Sequence, residues 1–203
     1  MRPSPPLLHG SAMKNQHGFT LVEATVVAFL ILAFAIGAAP ALKAYSVEAS
    51  LLGAGRLFKA EFRKAHSMAV KQGVYTAIRF ERAGAQAFYS IYADGNGNGV
   101  RTHEILSGVD RRVAGPLPLH GGSASVRVAI NPGVPAIPPD RGFLTGDPIQ
   151  FGSSDLLSFS PFGTATPGTF YLAGEGAQAA VRVTPGSARV RLMTCRGKTW
   201  VER

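Results

Sequence analysis

A single cysteine in 203 residues, Cys195, leaves the chain without a partner for an intrachain disulfide. The expected role of Cys195 is that of a small apolar residue near the C-terminus. Acidic side chains are also scarce. Twelve Asp and Glu stand against 21 Lys and Arg, for a formal charge of +9, which excludes a preference for cationic partners and suits phospholipid or nucleic acid. The five histidines, at 9, 17, 66, 103 and 120, have no metal-ligand spacing, so no zinc motif is expected. There is no Gly-x-Ser-x-Gly elbow, no Walker loop and no supported Ser/His/Asp set. No catalytic function and no cofactor is expected.

The apolar residues are concentrated in one run. From Phe19 to Ala41 the chain reads FTLVEATVVAFLILAFAIGAAPA. As a helix this covers about 34 Å, enough to cross a hydrocarbon core. The polar lead-in ends Lys14-Asn15-Gln16-His17-Gly18, and Lys43 follows the run, so residues 1–18 are expected to stay cytoplasmic and the remainder to be exported. Glu23 alone interrupts the apolar stretch. A carboxylate there costs several kcal/mol in lipid and points to a functional contact. A cleavable secretion signal would place small residues after the apolar region, as Ala38-Ala39-Pro40-Ala41 could, and would lack the acid.

Beyond Pro40, Leu51, Gly55, Phe58, Phe62, Ala65 and Ala69 recur at helical spacing, with Arg56, Lys59, Arg63 and Lys64 mostly off that stripe. An amphipathic helix is therefore expected to run to Gln72, stop at Gly73 and pack on a sheet. The rest reads as short strands at 74–80, 87–93, 123–130, 156–159, 169–173, 179–183 and 189–193, with the Pro-rich stretch 115–148 as a long surface loop around one of them. The fold class is α+β, a long N-terminal helix against antiparallel β-structure. The organisation is 1–18 leader, 19–41 membrane-spanning helix, 42–73 amphipathic continuation and 74–203 β-rich head.

Lys14 to Glu23, KNQHGFTLVE, resembles the prepilin-peptidase signature of type IV pilins and type II secretion pseudopilins. The resemblance implies cleavage between Gly18 and Phe19, N-methylation of Phe19, and an assembly role for Glu23. Glu23 would pair with the new amine of the same or a neighbouring subunit, offsetting the desolvation of both groups. Pro40 matches a helix-kinking proline of many pilins, and equally suits the end of the membrane span. The head is similar to the GspH/FimT family of minor pseudopilins and minor pilins. The similarity rests on Ala65 to Gly73 before a strand, on Asp94-Gly95-Asn96-Gly97-Asn98-Gly99, and on Phe159-Ser160-Pro161-Phe162-Gly163 followed by Gly168-Thr169-Phe170-Tyr171-Leu172. The partners so implied are other pilin subunits, the prepilin peptidase and inner-membrane lipid, with the head periplasmic.

Two constellations remain. Asp94, Asn96 and Asn98 with Gly99 copy the opening of a Ca²⁺-binding EF-hand loop. The closing acid is displaced, with Ile105 where Glu belongs and Glu104 one place early, so a plain turn is the expectation. Arg189, Arg191, Arg196 and Lys198 form a basic C-terminal run, and Arg189 and Arg191 would share a strand face. Some FimT-type pilins bind DNA through a Gly-Arg-x-Arg motif. Ala188-Arg189-Val190-Arg191 keeps both arginines and loses the glycine. DNA capture and a solvated basic face both remain open.

Overall fold

The computed structural model describes residues 20–83, 86–119 and 125–203. One helix, α1 (Leu21–Gln72), opens the chain. It is followed by β1 (Thr76–Ala83), β2 (Gln86–Ala93), α2 (Thr102–Ser107), β3 (Arg111–Pro118), β4 (Ile149–Gln150), β5 (Leu156–Phe159), β6 (Gly168–Gly174), β7 (Ala177–Val183), β8 (Val190–Arg196) and β9 (Thr199–Glu202). The strands form two antiparallel sheets, β3-β2-β1-β5 and β4-β6-β7-β8-β9. The α+β architecture expected from the sequence is therefore the observed one.

The chain divides into two compact units, the first ending at Ala41 and the second running from Leu42 to Arg203. In the first, the most apolar window of α1 is entirely unburied, with Leu21, Phe29, Ile31, Phe34 and Ile36 all exposed. So large an apolar surface requires a cover of lipid or protein. Pro40 lies inside the helix rather than at its end, and its missing N–H leaves the carbonyl four residues back, at Ile36, without its helical donor.

In the second unit the predicted stripe is the buried face of α1: Leu51, Gly55, Phe58, Phe62, Ala65 and Ala69 are all inside. Gly55 is needed for this approach, because a Cβ there would stand 2.5 Å from Leu192 Cδ1 on β8. Around the stripe the aromatic rings interlock. Phe58 meets Phe170 at 4.7 Å and Tyr89 at 5.7 Å between centroids, and Phe62 meets Phe151 edge-on at 5.9 Å. Phe80 stacks on both Phe151 and Phe170, so one cluster joins α1 to both sheets. Each such side chain contributes about 2 to 3 kcal/mol by leaving water. The helix stops where the sequence placed its end, with Gly73 at φ 69° and its N–H donating to the Ala69 carbonyl at 3.0 Å.

Residues 123–130 do not form the expected strand: Ser123 and Ala124 lie outside the described residues, and 125–130 make one bridge, Arg127 to Ala173. A buried side chain stands in for further ladder bonds. Gln178 Nε2 donates to the Ala129 and Leu172 carbonyls, each at 3.0 Å, and its Oε1 accepts the Asn131 N–H at 2.9 Å. Asn131 Nδ2 in turn donates to the carbonyls of Gly174 and Ala177. The stretch 115–148 is likewise not loop throughout, because β3 occupies 111–118. Pro116 and Pro118 are tolerated there because β3 is the edge of its sheet and its pairing with β2 shifts register. Residues 130–144 then strap the outer face of the second sheet. Ile137 is buried against Tyr171, Ala180 and Met193, and Trp200 Nε1 donates to the Pro135 carbonyl at 2.8 Å.

Candidate functional site

Three places were expected to carry function: the helix start, the Asp94 loop and the C-terminal arginines. Gly18 and Phe19 lie outside the described residues. From Thr20 onward the helix start is well defined. The Thr20 carbonyl accepts the Ala24 N–H at 3.1 Å, and Thr20 Oγ1 accepts the Glu23 N–H at 3.2 Å. Thr20-x-x-Glu23 is thus a capping-box spacing in which the hydroxyl satisfies one of the helix's orphan donors. This role of Thr20 was readable from the sequence and was missed. Glu23 sits in the first turn of α1, where the positive end of the helix dipole favours its charge. The carboxylate is therefore held at the one end of an apolar helix where a negative charge is least costly.

The loop after β2 is organised around carboxylates. Asp94 Oδ1 accepts the N–H groups of Asn96 at 3.0 Å and Gly97 at 2.8 Å, and Oδ2 accepts that of Gly99 at 2.6 Å. Glu104, on α2, accepts the side-chain amides of Asn96 at 2.9 Å and Asn98 at 2.8 Å on Oε1. Asp110 closes the loop by accepting the N–H groups of Gly95 and Arg101. Gly95 is required, since a Cβ there would lie 2.0 Å from the Val109 carbonyl oxygen. The connection from β2 to β3 runs through this loop and α2. Among the described residues no three His, Cys, Asp or Glu side chains gather as a metal-ligand group.

Partial burial raises the Asp94 carboxyl, but the N–H donors of Asn96, Gly99, Gly97 and Asn98 outweigh it and hold the group below its ordinary value. The Asn98 and Asn96 amides do the same for Glu104. Folding thus lowers both values. The stabilisation is complete above the ordinary carboxylate range and is lost as pH falls through the depressed folded values. The expected result is that corrected amide exchange at Gly97 and Gly99 stays slow from pH 7 to about 5 and accelerates on acidification below about pH 4, ahead of the core strands. Equal acid response in loop and core would contradict it.

The structure divides the C-terminal cations. Arg189, just before β8, and Arg191, on it, do share a face, and both reach Glu202 of β9, at 3.4 and 3.6 Å. Ala188 takes φ 47°, a left-handed conformation that a glycine would adopt more easily. Arg196 points to the other face of the sheet and is held by Glu48 of α1, with Nε 3.1 Å from Oε1 and Nη2 on the same oxygen. Arg203 approaches Glu48 as well, at 4.0 Å. Lys198 stands exposed in the β8–β9 turn. The four cations therefore do not form one surface, and their carboxylate partners, Glu202 and Glu48, were not foreseen. Burial pushes the Cys195 thiol up, which disfavours the thiolate at neutral pH.

Residues 13–39 match the family model described as the prokaryotic N-terminal methylation motif, and residues 54–187 match that of the type II transport protein GspH. No curated protein and no solved structure matches the chain.

Proposed function

Because this chain belongs to the GspH family of type II transport proteins and carries the prokaryotic N-terminal methylation motif, we propose that it is made as a membrane-anchored precursor, cut after Gly18, methylated on Phe19 and drawn into a filament by α1. It is a type IV pilin-like component. The finer reading is that of a non-enzymatic minor subunit of a secretion pseudopilus or a type IV pilus, with its N-terminus cytoplasmic and its head periplasmic. The reading divides the chain at residues 18, 41 and 73 into leader, membrane helix, helix continuation and head.

One observation carries it: the first half of α1 is apolar and unburied, and its only acid sits in the first turn, at Glu23. A helix needed only as an anchor has no use for that charge. After cleavage the Phe19 amine would be the nearest cation of matching role, in the same subunit or the next. Co-expression with a prepilin peptidase tests the processing step. The intact mass should fall by residues 1–18 and rise by one methyl group, whereas Gly18→Leu should accumulate uncut in the membrane, with cleavage reduced at least about tenfold. Unchanged mass in the wild type would sink the reading. The neighbouring genes would separate pilus from secretion pseudopilus.

A second reading is DNA capture by the head during uptake. It is favoured by the excess of cations, 19 basic against 12 acidic residues after position 18, and by the shared face of Arg189 and Arg191 after the left-handed turn at Ala188.

A further inference from the structure

We propose that the head carries a phosphate-binding groove on the exposed face of α1, lined by Arg56, Lys59 and Arg63 and flanked by Arg203, and that its occupant is a nucleic-acid backbone. The inference rests on the DNA reading but places the contact away from Arg189 and Arg191.

Charge accounting leads there. From residue 42 on, seven of eleven carboxylates are engaged by Lys or Arg: Glu202 by Arg189 and Arg191, Glu48 by Arg196 and Arg203, Glu61 by Lys64, Glu81 by Arg79, Glu175 by Lys43, Asp147 by Arg82 and Asp140 by Arg182. Among the described residues no Asp or Glu carboxylate lies within ion-pair distance of Arg56, Lys59 or Arg63. Lys59 donates to the main-chain oxygen of Arg203 at 3.2 Å, which holds Arg203 beside the stripe. Arg56, Lys59, Arg63 and Arg203 with Ala60 and Leu192 border a groove of about 480 Å³. The Glu202 carboxylate, by contrast, partly neutralises the Arg189–Arg191 pair, and those two project from the opposite face of the sheet.

Geometry selects the occupant. The three helical cations follow one another by about 4.5 and 6 Å along the axis, a line of positive charge suited to an extended polyanion rather than to one small anion. Two are arginines, whose planar donors fit phosphate oxygens in pairs. An acidic protein partner would need an apolar or aromatic anchor at the centre of its contact. The groove offers only Ala60 and the edge of a Leu192 that is itself buried. A backbone held by charge alone needs none.

The test uses the full chain in neutral detergent and a fluorescent 30-base-pair duplex, with anisotropy read from 50 to 200 mM salt. Three proteins are compared: wild type, Arg56→Gln/Lys59→Gln/Arg63→Gln, and Arg189→Gln/Arg191→Gln, with matched thermal unfolding confirming the folds. Loss of three phosphate contacts flattens the salt slope by about 2.7. The fourfold salt increase should therefore weaken wild type about 40-fold more than the helix variant. The Arg189/Arg191 variant should keep the wild-type slope to within about one contact. The placement fails if the helix variant binds like wild type while the Arg189/Arg191 variant loses binding, an outcome that leaves the DNA reading standing. Wild type without salt-sensitive binding overturns both. Stripe-dependent binding to phosphatidylglycerol vesicles without binding to duplex overturns the choice of occupant.

Discussion

A Glu23→Ala chain should insert and be cut like the wild type, yet enter filaments at a level reduced at least about tenfold, the effect of a lost contact worth about 1.4 kcal/mol or more. The substitution isolates the carboxylate. Thr20 Oγ1 caps the helix through the backbone N–H of residue 23, which any side chain at that position retains. The helix should therefore start at the same residue, and its apolar face loses nothing. On the proposed pairing, what disappears is the partner for the Phe19 amine, which leaves that cation unpaired in an apolar setting, the costly half of a broken pair. Glu23→Gln should behave like Glu23→Ala, because its amide keeps the shape without the charge. Quantifying sheared filaments against membrane-retained protein checks this, and wild-type incorporation of either variant would sink the pairing account.

Phe62→Ala should unfold the head at markedly lower temperature. Phe62 is fully buried and its ring meets those of Phe80, Phe151 and Phe170, drawn from β1, the segment after β4, and β6. Truncation removes one of the two α1 rings that reach both sheets, the other being Phe58, and leaves a cavity between them. Such changes cost about 3 to 5 kcal/mol. For a domain of this size that corresponds to about 10 °C or more in Tm. One residue further on, Arg63 is exposed, and Arg63→Ala should fall within about 0.5 kcal/mol of wild type. Thermal unfolding of the two full-length variants in the same detergent provides the comparison. Similar losses for both would mean that α1 is not held by the aromatic cluster.

How far the sequence could be read depended on whether the signal was local. The α1 stripe was legible residue by residue because a period of 3.6 is written into Leu51 through Ala69, and Gly73 marked its stop. β5 was legible in full, and β6 and β7 to within two residues, although their near-continuous burial erases the alternation of a half-exposed strand. β3 was missed because Gly115, Pro116 and Pro118 are breakers in every position but an edge. The opposite error arose at 123–130, where real alternation met a sheet edge already occupied: β4 pairs with Thr169 and Phe170, leaving only Ala173 for Arg127. β9, four residues after a glycine turn, was too short to register. At the candidate sites, the Arg189–Arg191 face followed from strand parity. The separation of Arg196 did not, because the strand was expected to stop at 193; β8 runs on to Arg196, where the same parity turns the side chain to the other face and toward Glu48, 148 residues away in sequence.

The strap of residues 130–144 has a bearing on how such a head meets its neighbours. With α1 on one side and the Ile137 cluster over part of the other, the five-stranded sheet leaves open chiefly the Arg189–Arg191 end of its strapped face. The four-stranded sheet is covered in the same way where Tyr75, Val100 and Ile105 pack over Ala77 and Tyr92. Contacts of the head with other molecules are left to straps, turns and the polar side of the helix. The exposed positions of those segments can change without disturbing the strand ladders, whereas Asn131, Pro135 and Ile137 are tied to the second sheet, so recognition and the stability of the frame can vary independently at the exposed positions alone.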